Sequence, residues 1–180
     1  MTPERHVQAA LAALSREDSA GASLLVSGGS ARARRAFLDA LVAELQSKSP
    51  AWLRVRLAPR RAGQRLEDEL PAAVEEALAL AHAPAAPPRG VDLSFAGALG
   101  SWLFRARAVG FVGLCLVVDD LDAWVNTRGV TREDAGLDAL VDEARRRPVQ
   151  VLATARPGAA SGAPGVADDL AARFEHTVSL

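Results

Sequence analysis

SLLVSGGSARARRAFLDALVAELQ occupies residues 23–46. It opens with a short apolar run, turns through two glycines, and continues with apolar residues at helical spacing. Phe37, Leu38, Leu41, Val42 and Leu45 fall on one side of that helix. Strand, glycine turn and helix in this order is the setting in which backbone N–H groups at a helix N-terminus wrap a phosphate. The usual spelling of such a loop is GxxxxGK[ST], in which the lysine reaches the terminal phosphates and the hydroxyl binds magnesium. Counting from Gly28, the second glycine falls on Ala33, the lysine on Arg34 and the hydroxyl on Arg35. Gly28 and Gly29 can still shape the turn. Arg34 keeps a positive charge on a wide planar fork, and Arg35 brings a cation to a position that needs an oxygen ligand. Ser30 lies too early for the metal role. The alternative is a glycine turn that only caps a helix. Either way, Arg32, Arg34 and Arg35 oppose the dipole at the helix start. A bound anion, the acidic pair at 119–120 or solvent exposure has to offset them.

Two further segments have the same strand-then-polar form. LCLVVDDLDAW, residues 114–124, is an apolar strand running into Asp119 and Asp120. Asp119 is the candidate magnesium ligand and Asp120 the candidate group acting on water, one methylene shorter than the more common Glu. Asp122 can cap the segment after it, and Trp124 reads as a packing residue. VQVLATARP, residues 149–157, ends a strand in Thr154 and then Arg156, which would bring a hydroxyl and a guanidinium near a γ-phosphate. A strand followed by a Pro-Gly loop is the plainer reading of that segment.

Between these segments the pattern alternates. A helix is expected within residues 1–20, with Val7, Leu11 and Leu14 on one face. WLRVRLA, 52–58, reads as a strand with Arg54 and Arg56 alternating with apolar residues. Helices are expected over 66–82 (Leu66, Leu70, Val74, Leu78), with Pro71 either kinking the helix or marking its start, and from Ser94 to near Gly110 (Phe95, Leu99, Trp102, Leu103). Another begins at a capping box of Thr131 and Asp134, carries Leu137, Leu140, Val141 and Ala144, and stops at Pro148. A short helix near 166–173 and a last strand at 176–180 complete the pattern. Residues 83–93 are a Pro/Gly-rich loop. Strands alternating with helices predict an α/β domain, a parallel sheet covered on both faces, with ligands at the carboxyl ends of its strands.

The bulk numbers fit one domain over residues 1–180 and exclude several functions. Hydrophobic residues make up 49% of the chain but aromatics only 4%, so the core is built of Leu, Val and Ala. A net charge of −1 argues against a general binder of nucleic acid or anionic membrane. Cys115, the single cysteine, lies in an apolar run and reads as a buried thiol. The three histidines have no metal-ligand spacing. MTPERHVQAALAAL lacks the layout of a signal peptide, and no apolar run has the length of a membrane span. A cytoplasmic protein without membrane insertion is expected.

Taken together, SLLVSGGSARARRAF, LCLVVDDLDAW and VLATARP resemble the P-loop NTPase superfamily, nearest to its AAA/STAND-like branch, from about residue 20 onward. The resemblance implies a three-layer αβα sandwich whose five-stranded, mainly parallel sheet has the order 5-1-4-3-2. It also implies that Gly28, Gly29, Ser30, Arg32, Ala33, Arg34 and Arg35 occupy the phosphate loop. Asp119 and Asp120 would stand at the Walker B positions, and Thr154 with Arg156 at the sensor region. ATP with magnesium is the implied cofactor. Family members usually continue into a helical lid, and none is expected here. Three functions are open to such a domain. The first is a degenerate, non-hydrolysing domain acting by protein contact, either with an active ATPase or in a self-assembly, in which Arg60, Arg61 or Arg156 reaches a neighbour. The second is an atypical ATPase using Arg34, Asp119 and Asp120. The third is a nucleic-acid module using Arg32, Arg34, Arg35 and Arg145–Arg147, which the near-neutral charge disfavours.

Overall fold

The computed structural model describes residues 3–14, 21–49, 51–57, 64, 66–85, 95–125, 135–156 and 171–180. Five strands form one sheet: β1 (Ser23–Ser27), β2 (Trp52–Leu57), β3 (Gly113–Val118), β4 (Val149–Thr154) and β5 (His176–Ser179). Its order is β2-β3-β4-β1-β5, the expected order, and every pairing is parallel. Burial follows position. The central strands β3 (GLCLVV) and β4 (VQVLAT) are buried at every residue, as strands covered on both faces must be. The edge strands β2 and β5 alternate instead, and β2 carries Arg54 and Arg56.

Six helices cover the sheet among the described residues: α1 (Pro3–Leu14), α2 (Ala31–Lys48), α3 (Leu66–Leu80), α4 (Phe95–Ala108), α5 (Leu121–Val125) and α6 (Ala135–Ala144). The core is therefore double. On one face Val7, Leu11 and Leu14 of α1 and Phe37, Leu38, Leu41 and Leu45 of α2 pack against Leu24, Val26, Cys115, Val117 and Leu152. On the other, α3, α4 and α6 bury Leu70, Val74, Leu78, Leu99, Trp102, Leu140 and Val141 against Leu25, Val55, Leu116 and Val151. This is the expected three-layer sandwich.

Two local expectations change, and a third is described only in part. Pro71 lies inside α3 and does not mark its start. Asp122 does not cap α5. It lies in the first turn, and Asp120 precedes the helix, its carbonyl accepting from the Ala123 N–H at 2.8 Å. The last helix is described only at residues 171–173. The Thr131–Asp134 capping box, Ser94, and Arg60 and Arg61 lie outside the described residues.

Candidate functional site

The order of the sheet sets β4 between β1 and β3, so the segments after these three strands meet at one edge. After β1 the chain turns through Gly28 (φ +75°) and Gly29 (φ +54°). Gly28 is required twice over. Its φ suits glycine, and a Cβ there would stand 2.6 Å from the carbonyl oxygen of Leu180, whose N–H donates to Ser27 O at 2.9 Å. Ser30 then caps α2, its hydroxyl accepting from the Ala33 N–H at 3.1 Å.

Arg34 turns inward. It is 2% exposed, and its Nη1 donates to the carbonyls of Gly28 (3.1 Å) and Gly29 (3.0 Å). Nη2 lies 3.6 Å from Asp120 Oδ1. The turn thus offers carbonyl oxygens to a guanidinium from its own chain, the reverse of the N–H groups that a phosphate requires.

Asp119 comes directly after β3 and is buried. Its Oδ2 accepts from Arg56 through Nη2 (2.7 Å) and Nε (3.1 Å), and Arg35 Nε lies 3.7 Å away. Arg56 Nη1 also donates to Asp39 Oδ1 on α2 at 2.5 Å. Desolvation alone would lower the Arg56 pKa. The hydrogen bonds to Asp39 and Asp119, and their charges, outweigh it, and the net shift is upward. The arginines at the start of α2 are thereby offset by the acidic pair: Arg35 by Asp119, Arg34 by Asp120, while Arg32 is exposed.

Asp120 has φ +49°, and its N–H donates to the buried Thr154 hydroxyl at 2.8 Å. Arg156 is held within the fold. Its N–H (3.1 Å) and Nε (2.6 Å) donate to the two oxygens of buried Asp122, and this hydrogen bond with its charge raises the Arg156 pKa. The rest of the side chain is turned to solvent, 66% exposed. Thr154 and Arg156 therefore make internal contacts where the sequence placed them near a γ-phosphate.

A cleft of about 260 Å³ lies between these segments, lined by Ala31, Arg32, Arg35, Asp119, Asp120 and Thr154. That is below the volume of typical small-molecule pockets. Of the sequence candidates, those that follow β1, β3 and β4 are brought to this edge. The sequence reading missed Arg56, Asp39 and the Asp122–Arg156 pair. Arg56 is placed by the strand register, which the sequence does not carry. It pairs with Val117 in the β2–β3 register, two residues before Asp119, and side chains two apart share a face. That face is the α2 face, so Arg56 reaches Asp119 while its side chain stays 37% exposed.

Arg145 and Arg147, candidates for nucleic-acid contact by sequence, pair with Asp142 and Glu143 at the end of α6, and Arg145 Nη2 also donates to Arg173 O at 3.0 Å. Among the described residues no His, Cys, Asp and Glu group has metal-binding form, and no helix is long and apolar enough to cross a membrane.

No protein-family model matches the chain, and no curated protein does. Two solved structures are similar in outline. The cytoplasmic domain of the Thermomonospora curvata Type VII secretion ATPase EccC is 16% identical over 75% of this chain, with a TM-score of 0.40. A protein described as an ATPase is 17% identical over 82% of this chain, also with a TM-score of 0.40. The chain spans 16% of the first and 60% of the second.

Proposed function

We propose that this domain is a degenerate P-loop module that does not hydrolyse nucleotide and acts as a regulatory or scaffolding element through protein contact. The observation that carries the reading is Arg34. Its guanidinium is hydrogen-bonded to Gly28 O and Gly29 O and paired with Asp120. A phosphate entering the turn would have to displace that cation and reverse the turn's carbonyls. Both changes cost buried hydrogen bonds.

The partner contact is assigned to Arg156. Its anchoring through Nε and N–H to Asp122 fixes the guanidinium while most of the side chain stays in solvent. An arginine held in this way loses little freedom when its outer nitrogens meet a carboxylate or phosphate. An active ATPase, or a second copy of this chain, is the kind of partner that offers such a group.

Calorimetric titration of the protein with ATP and Mg²⁺, beside Arg34→Ala, tests the reading. No heat at millimolar nucleotide is expected. Micromolar binding that disappears in Arg34→Ala would overturn it in favour of an ATPase using Arg34, Asp119 and Asp120.

A further inference from the structure

Magnesium is the cation that a phosphate-loop site implies, and the groups around Asp119 do not suit it. Mg²⁺ demands oxygen ligands in near-octahedral array. Here Asp119 Oδ2 faces three arginine nitrogens, two from Arg56 and one from Arg35, and Arg35 stands where the ligand hydroxyl belongs. The other oxygen, Oδ1, is buried with no hydrogen-bond partner. The cations that meet Asp119 are guanidinium groups, and all of them lie on Oδ2.

We propose that Arg56 is a built-in cation that fills the metal position permanently and makes this end of the site independent of divalent ions. The geometry supports a seat, not a chance surface pair. One guanidinium bridges two carboxylates on different layers, Asp119 after β3 and Asp39 on α2. Arg56 comes from β2, the strand paired with β3, so the sheet holds its backbone in place. Asp119 is 8% exposed at its side chain, while Arg56 is 37% and Asp39 51% exposed, so the bridge runs from a buried carboxylate out to the surface. Arg35, more than half exposed and at longer range, is an accessory. The bridge ties the middle of α2 to the end of the sheet.

Removal of Arg56 leaves buried Asp119 with only the longer contact to Arg35 at 3.7 Å, beside the exposed carboxylate of Asp39. A divalent cation is the natural replacement, so Asp119 and Asp39 form a latent Mn²⁺ or Mg²⁺ site that Arg56 suppresses. This inference rests on the non-hydrolysing reading, but its test uses no nucleotide. ATP binding by the wild type would defeat that reading alone.

The experiment is thermal unfolding with and without millimolar Mn²⁺, on wild type, Arg56→Gln and Arg35→Gln, with circular dichroism to establish folding. Wild type and Arg35→Gln are expected to be unmoved. Arg56→Gln should melt about 3 °C higher with Mn²⁺, and adding Asp119→Asn should erase the gain. An equal gain in wild type or in Arg35→Gln, or no gain in a folded Arg56→Gln, overturns the proposal. If Arg56→Gln does not fold, the wild type answers by NMR. The Arg56 Nε–H signal should exchange slowly and ignore millimolar Mg²⁺, and its displacement by the ion overturns the proposal.

Discussion

The Asp120 N–H donates to the Thr154 hydroxyl at 2.8 Å, so the turn that ends β3 hangs from the last residue of β4. Asp120 holds a left-handed φ of +49° there, a conformation that costs a non-glycine residue roughly 1 kcal/mol. The hydrogen bond helps offset that cost. Thr154→Val keeps the shape of a residue only 2% exposed and removes the acceptor. A loss of about 1–3 kcal/mol is expected in urea unfolding, since a part-buried N–H is left unmet. Thr154→Ser, which keeps the oxygen, should lose less. Equal stability of Thr154→Val and wild type would show that water satisfies the Asp120 N–H.

Arg34 is expected to be a stability residue. Arg34→Ala strands two loop carbonyls and removes the partner of Asp120, and should cost about 3 kcal/mol. Arg34→Lys keeps the charge but not the fork, so it cannot reach the same carbonyls and Asp120 with equal geometry. It should fall between Ala and wild type. If Lys equalled wild type, charge alone would be what the loop needs, and the fork would be incidental. Chemical denaturation of the three proteins decides.

The sheet was largely legible from the chain, and the reasons are local. β1, β3 and β4 are mostly apolar runs, each leading into a glycine, acidic or other polar turn, and their alternation with helices restricts the topology. Pro71 misled as a possible boundary because tertiary packing of Leu70, Val74 and Leu78 carries α3 through it. Side-chain direction was the illegible part. Whether Arg34 points to solvent or back into its own turn is a rotamer choice that spacing does not encode. Arg56 and Asp119 are 63 residues apart, and the alternation of β2 does not say which residues its arginines meet.

Alkaline pH should weaken the fold through Cys115. Burial pushes its thiol from 9.0 up to about 12, with the charge of Arg54 pulling slightly the other way. The folded state holds the proton more tightly than the unfolded chain. The stabilising effect is therefore complete below pH 9 and is lost as pH rises toward 12. The slope from this one group is about 1.4 kcal/mol per pH unit. The chain has no tyrosine and only Lys48 as a lysine, so few other groups titrate in that window. Urea unfolding from pH 8 to about 11 should show the decline in wild type and a flatter profile in Cys115→Val. Matching profiles would exclude Cys115 as the source.

Arg105 and Glu75 should respond unequally to substitution. Arg105, on α4, is 5% exposed at its side chain and donates through Nη1 to both oxygens of Glu75 on α3, at 2.7 and 2.8 Å. Its Nε donates to Pro84 O at 2.6 Å, and Glu75 also accepts from Trp102 Nε1 at 2.9 Å. Glu75 is 44% exposed at its side chain, so without Arg105 it turns to water at little cost. Arg105 has no such escape. Glu75→Ala leaves the buried guanidinium without its carboxylate, an expected loss of about 3 kcal/mol. Arg105→Met fills a similar volume with apolar atoms and leaves Glu75 bonded to Trp102, an expected loss of about 1 kcal/mol. The order matters more than either size. If Arg105→Met proved the more damaging, the Arg105 stem and its bond to Pro84, and not its charge, would be what joins α3 to α4.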